Sequence, residues 1–496
     1  MVCKNFGRSL GATCLCLLIS LPVSALEYYG DVTAGLALTD NVELAPSGEE
    51  QSEGILRVAP SLNVYHESKR LDFAFEGTLE GLFYRDDSDR NQANTELFSS
   101  LLVDFIDERL GWRGLASLTQ VNIDPDGPTT DTNLFDTGNR DDAFFWETGP
   151  EWVSPIFSQG ELRAVAYGGQ VNYGDSELQD IDTQYAEVAI NQTPGAVGSL
   201  GYEANYIYQR FDYDEAGDLE DQTAFLRLSY QYSESLRLFG LVGADNDFED
   251  PGSSALDEFR WETGFATEIG SGDTFEAAIG ERFYGTTWRA AWNRIRENQR
   301  YRIRYTEEPA NADILQREAL RRGEDPDGLD PANDEAGRPG RDDRYIRNRL
   351  DLIAEFEFSR SVLSLEGYWE KQNRENSNLI EDDFVGSLTG DETFWGVDGG
   401  FTWALGNRTS ANVGFFYRNR DSDRFNPDGT SAGSTEDDLY QVSAGLDYSL
   451  GIKTALSLTV RYDNRDGSGG DTADYDQLGG IIEISRSFGD LQLQQR

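Results

Sequence analysis

Apolar and polar residues alternate along most of this chain. From Leu26 onward, Leu26, Tyr28, Val32, Ala34, Leu36 and Leu38 fall on one side of an extended backbone, with Glu27, Asp31 and Thr33 on the other. A period of two places one face of a strand in an apolar medium and the other in water. The pattern returns with Leu56, Val58, Leu62 and Val64 against Arg57, Ser61 and Asn63, and with Leu71, Phe73, Phe75 and Leu79 against Asp72, Glu76 and Glu80. Later ladders include Ala224 to Tyr232, Phe259 to Ile269, Leu350 to Phe358, Trp395 to Trp403 and Tyr440 to Tyr448. Each runs about ten residues, the length a tilted strand needs to cross hydrocarbon.

The connections alternate in character too. Tight ones fall at His66–Lys69, Asp107–Arg109, Ser233–Ser235, Gly270–Asp273, Ser359–Ser361 and Gly406–Thr409. Long, acidic ones rich in Gly, Pro and Asn occupy 39–54, 124–141, 245–257, 307–344, 371–391, 421–437 and 464–474. Short periplasmic turns and long external loops are the habit of outer-membrane barrels. A barrel that starts and ends in the periplasm needs an even strand number. Resolving 286–306 into two short ladders, Trp288–Trp292 and Tyr301–Tyr305 with a turn at Arg294–Asn298, meets that condition. The prediction is an all-β chain: one closed antiparallel transmembrane β-barrel of about 22 strands, within a range of about 18–24. Its last strand should run from near Gln477 to Phe488.

Composition changes this picture little. Lys4 and Arg8, the apolar run Leu10–Leu21 and the small residues Val23-Ser24-Ala25 predict a signal peptide over 1–25 and a barrel over 26–496. The three cysteines, Cys3, Cys14 and Cys16, lie inside that signal, so the mature chain should hold no disulfide or lipid anchor. The whole chain carries a net charge of −48, which argues against nucleic acid as a partner. Mean hydropathy is −0.56. That value does not exclude a barrel, because half of each strand is polar. Aromatic residues make up 12%, suiting interfacial girdles and not an acidic disordered chain. A soluble propeller or a set of sandwiches would also alternate, but no repeat of blade signatures is present.

Thr39-Asp40-Asn41-Val42, followed by Val58-Ala59-Pro60-Ser61-Leu62, resembles the outer-membrane barrel proteins associated with exosortase (PEP-CTERM) and exopolysaccharide systems, which are related to the β-barrel porins. Glu281-Arg282-Phe283-Tyr284-Gly285, continuing through Trp288 to Tyr305-Thr306-Glu307-Glu308, matches the same family. The likeness spans nearly all of the mature chain, and the 307–344 loop is longer than the family usually carries. The resemblance implies a role in export or surface display of polysaccharide, without catalytic residues.

Candidate chemistry is sparse. His66 is the only histidine and stands at a predicted periplasmic turn, with no partner for acid–base work, so it reads as a turn residue. Without cysteine or a Gly-rich phosphate cradle, zinc and nucleotide sites are not expected, and no enzyme activity or cofactor is predicted. Arg282, Arg289, Arg300, Arg302 and Arg304 alternate with the aromatics of their ladders and should face the lumen. Glu262, Glu276, Asp351, Glu355 and Glu357 take the inward faces of neighbouring strands. A basic wall set against acidic ones would create a transverse field selecting charged or sugar-rich solutes. The alternative is a set of paired charges that only fills the wall, and ion selectivity before and after Arg302→Ser separates the two. Asp124-Pro125-Asp126-Gly127, Asp325-Pro326-Asp327-Gly328 and Asn426-Pro427-Asp428-Gly429 suit either calcium or ordinary solvated turns, and none has the spaced glutamate of a calcium-binding helix-loop-helix.

The functional expectation is a conduit or scaffold in exopolysaccharide export. Expected partners are outer-membrane lipid and lipopolysaccharide, polysaccharide, and periplasmic export proteins. A general or sugar-selective porin is one alternative. An adhesive surface protein, its lumen closed by an inward loop such as 307–344, is another. A first strand starting directly at Leu26 argues against the N-terminal plug of energised receptors.

Overall fold

The computed structural model describes residues 26–489 apart from 108, 124–126, 131, 157–159, 175–177, 194–197, 214–217, 247–255, 271, 323–343, 375–387, 426–430 and 469–473. The predicted signal peptide and the aspartate-rich motifs, except Gly127, lie outside the described residues.

Twenty-two strands follow one another in chain order. The first eight are β1 (Glu27–Thr39), β2 (Glu53–Glu67), β3 (Leu71–Tyr84), β4 (Gln92–Ile106), β5 (Leu110–Asn122), β6 (Arg140–Ile156), β7 (Gly160–Tyr173) and β8 (Ile181–Gln192). Then come β9 (Leu200–Tyr213), β10 (Leu219–Gln231), β11 (Leu236–Asp245), β12 (Glu258–Glu268), β13 (Asp273–Arg282), β14 (Gly285–Arg296) and β15 (Gln299–Asn311). After a helix, α1 (Ala312–Arg322), the wall resumes with β16 (Arg344–Glu357), β17 (Ser361–Asn373), β18 (Leu388–Ala404) and β19 (Thr409–Phe425). It finishes with β20 (Ser431–Gly451), β21 (Thr454–Ser468) and β22 (Tyr475–Gly489).

Each strand pairs antiparallel with its sequence neighbours, and β1 pairs with β22 from Tyr29 opposite Gly489 to Thr39 opposite Gly479. This last ladder closes the sheet and leaves no edge, the condition for strands to live in lipid. The protein is a closed 22-stranded antiparallel barrel of the outer-membrane type.

The alternation read from the sequence sets the two faces. Leu36, Leu228, Leu365, Val413 and Ile484 are among the exposed apolar residues of the outer wall. Aromatic residues bound this belt. On β18, Trp395 and Trp403 are both exposed and stand eight positions apart, about 26 Å along the strand, which matches an apolar band tilted through a bilayer. At the loop end Trp395, Tyr417 and Tyr440 pack ring to ring, with centroids 4.8 and 4.7 Å apart. No helix among the described residues is long and apolar enough to span a membrane, and the strands do the crossing.

Several predicted loops turn out to be strand. β20 is 21 residues long, about twice what hydrocarbon requires, and β15 continues to Asn311. Beyond the bilayer both faces meet water, so alternation fades while backbone pairing persists: Asp421 still pairs with Glu436 and Arg465 with Tyr475. The predicted loops 421–437, 464–474, 371–391 and 307–344 are shortened accordingly. His66, read as a turn residue, is the penultimate residue of β2 and is buried. The opposite deviation occurs at Phe283-Tyr284, where two residues join β13 to β14 at the loop end. Gly285 closes this hairpin at φ +117°, a conformation costly for any residue with a Cβ.

Two loops fold into the mouth. In 123–139, the Asn133 amide donates to Glu80 at 2.8 Å, and Phe135 packs with Leu44, Phe416, Leu439 and Tyr475. The other is the loop that carries α1.

Candidate functional site

The lumen carries the chemistry of this molecule, and its inner rows are built by register. Crossing the wall at one height, Gln231 pairs with Arg237, Arg237 with Ala266, Ala266 with Glu276, Glu276 with Ala291, Ala291 with Arg304 and Arg304 with Asp351. Because side chains alternate, these residues and those two positions away share the inward face. All ten candidate residues lie on it.

They do not form one uniform network. Arg289 donates to Glu262 at 2.8 Å and to Glu276 at 2.6 Å, and Glu276 also receives Arg227 at 3.4 Å and Arg237 at 3.9 Å. The Arg227 and Arg289 guanidiniums stand 4.0 and 5.7 Å from the Phe239 ring centroid, a cation–π arrangement that suits a partly dry wall. Arg282 and Arg260 share the buried Asp245 at 2.8 and 2.9 Å. Asp351 is held by Arg349 at 2.6 Å. Arg300 reaches Glu355 and Glu357 only at 3.7 Å, in an exposed setting where such pairs contribute little. Arg302 and Arg304 are exposed to the lumen and make no ion pair among the described residues. The wall is therefore mixed: some arginines are neutralised in place, and two stand free.

Sequence reading missed a second set of charges. Glu370 is fully buried and takes Arg347 at 2.7 Å and Arg349 at 2.9 Å. Glu392 binds Arg374 at 2.6 Å and also Arg420, while Asp437 binds Arg465 at 2.8 Å. Arg347 and Arg349 share the parity of Asp351, so extending that ladder would have found them.

No periodic signal pointed to the contacts of α1. This helix crosses into the lumen and lies against the inner wall of β5–β9. Leu320, 1% exposed, packs in a cluster that includes Leu115, Phe145, Phe211 and Tyr213. Arg317 donates to Glu147 at 2.6 Å and to Gln209 at 3.3 Å, and it stands 4.9 Å from the Tyr185 ring centroid. Arg321 reaches the other oxygen of Glu147 at 2.8 Å. The Tyr173 hydroxyl donates to Gln316 at 2.7 Å. The side chains of Glu147 and Arg317 are 1% and 2% exposed. A buried carboxylate held by two guanidiniums fixes position more than it adds net stability, because desolvation offsets much of the attraction.

Among the described residues no three His, Cys, Asp or Glu side chains converge on one point. What the geometry can do is narrow the bore and grade its charge.

Solved structures share this architecture. The chain is similar to the FrpB iron transporter of Neisseria meningitidis (F3-3 variant), with TM-score 0.55 and 10% identity over 95% of this chain and 83% of that one. It is also similar to the siderophore receptor PirA of Acinetobacter baumannii, with TM-score 0.51 and 9% identity over 93% of this chain and 80% of that one. At such identities the likeness is one of fold. No protein-family model and no curated protein matches the chain. Fold, lipid-facing belt and lumen together define an outer-membrane β-barrel.

Proposed function

We propose that this protein is a porin-like conduit, without enzyme activity, that passes hydrophilic solutes across the outer membrane and sorts them by charge. One observation supports this reading above others: α1 is clamped to a single side of the bore through Glu147, while β15 keeps two exposed, unpaired arginines, Arg302 and Arg304. A device that only filled space would have every charge paired, since an unpaired guanidinium needs water around it. Solutes would travel between the helix and the basic wall. Single-channel recording of the purified protein in planar bilayers tests this. Discrete, ohmic openings support it, and a membrane that stays silent at high protein density rejects it.

Export or surface display of exopolysaccharide, with periplasmic partner proteins, is a second reading supported by the resemblance at Thr39–Val42 and Glu281–Gly285. It requires α1 to leave the bore. Loss of surface polysaccharide in a deletion strain with normal small-solute uptake would favour it over a porin.

A further inference from the structure

We propose a binding subsite for a small carboxylated solute, an acidic sugar or an organic acid of similar size, in the periplasmic half of the lumen on the wall formed by β10–β15. This deepens the conduit reading by naming a solute class and a place where it pauses.

The site begins as a gap in the inner rows. In the row Gln231, Arg237, Ala266, Glu276, Ala291, Arg304, two of six positions carry only a methyl group. Long side chains on either side cannot fill the space above two alanines, and a cavity of about 340 Å³ results, with Gln231, Arg237, Ala266, Thr274, Ala291 and Asn293 in its lining. This volume lies at the lower end of the range for small-molecule pockets.

Its donors are in place and underused. The Arg237 Nε is buried without a hydrogen-bond acceptor, although the lining is otherwise polar, and that guanidinium meets Glu276 only at 3.9 Å. Asn293 stands opposite Arg302, and Ala291 opposite Arg304, so the two free arginines border the cavity on the β15 side. Strands lie about 4.8 Å apart, which puts Arg237 and Arg304 about 19 Å from each other at the backbone, with the cavity between them. On this face Arg227, Arg237, Arg289, Arg302 and Arg304 stand among Glu203, Glu262, Glu276, Asp351 and Glu355. Glu262 and Glu276 are engaged by Arg289, Asp351 by Arg349 and Glu355 by Arg300, which leaves Arg302 and Arg304 without an ion pair. The further carboxylates of the lining, Glu234 and Glu268, are exposed at its periplasmic rim. In a chain with a net charge of −48, the guanidiniums left with unused donors at this cavity, Arg237, Arg302 and Arg304, are the groups that recognise an anion. Amide and hydroxyl groups from Gln231, Thr274 and Asn293 match the hydroxyls of a sugar.

The experiment uses the full-length protein purified in detergent, with galacturonate and galactose as probes and calorimetry as readout. Galacturonate should bind and galactose should bind at least tenfold more weakly. The double variant R302S/R304S should lose galacturonate affinity by tenfold or more. A291L, which fills the cavity and removes no charge, should lose it to a similar degree while the channel's ion selectivity stays unchanged. That last result separates a built site from a diffuse field. Equal binding of the two sugars, or unaltered galacturonate binding in both variants, overturns the proposal. Binding without conductance would sink the conduit reading alone, and conductance without binding would sink only the subsite.

Discussion

Glu147 and Arg317, 170 positions apart in the chain, meet at 2.6 Å in a setting almost closed to solvent. One stands in the sixth strand of the wall, the other on the helix of a loop. On the conduit reading, their contact holds α1 where it narrows the bore. Glu147→Gln leaves two guanidiniums without their carboxylate, and breaking such a buried pair costs about 3–5 kcal/mol. The variant should release α1 and raise single-channel conductance. The double variant E147A/R317A should cost less than the sum of the two single changes, read from urea unfolding in detergent micelles. Conductance unchanged in E147Q would show that the helix is held by its apolar face alone.

Neighbouring residues on β17 should respond in opposite ways to the same substitution. Leu365 is exposed on the outer wall and pairs with Gly399, midway between Trp395 and Trp403. Leu365→Arg places a charge at the bilayer midplane, where the cost is about 2–4 kcal/mol. Ser364 faces the lumen, so Ser364→Arg should be tolerated. Folding yield into lipid vesicles, scored by gel mobility before and after heating, checks the pair. Equal yields would mean that the faces have been assigned wrongly.

One amide reinforces the barrel seam at its loop end. Asn41, fully buried, accepts from the Ala45 N–H at 2.8 Å and donates to the carbonyls of Ala45 at 2.8 Å and Asp476 at 3.0 Å, tying the first loop to the last strand. Asn41→Ala orphans these groups, each costing about 1–3 kcal/mol if water cannot replace the bond. The unfolding midpoint in urea should fall clearly. A midpoint equal to that of the wild type would show that solvent reaches the seam.

Arg289 neutralises Glu262 and Glu276 together. Arg289→Ala bares Glu262 and leaves Glu276 only the longer contacts to Arg227 and Arg237, and should move the reversal potential in a salt gradient toward cation preference. The shift should shrink at high ionic strength as screening shortens the reach of the charges. A reversal potential indifferent to the substitution would place the ion path away from this wall.

The sequence showed the barrel because lipid enforces alternation: a slip of one residue would bury Arg57 in hydrocarbon and turn Leu56 to water. The same logic assigned the inner face to Arg282, Arg289 and Arg302 before any contact was known. It failed where lipid exerts no such demand. Asp421 to Phe425 reads as loop because both its faces are wet, yet it completes β19. Which arginines are spent on carboxylates and which remain free depends on side-chain reach across strands, and a pattern along one strand cannot express that. The clamp of α1 was harder still to foresee, since Arg317 and Glu147 meet through a loop whose path no periodicity records.

The two-residue hairpin at Phe283-Tyr284 is flanked along the rim by connections spanning 246–257 and 312–343. The strands that it joins carry Arg282 and Arg289. So short a connection adds little height above these two side chains, and on the conduit reading proposed above a solute that enters over this hairpin meets Arg282 and Arg289 first.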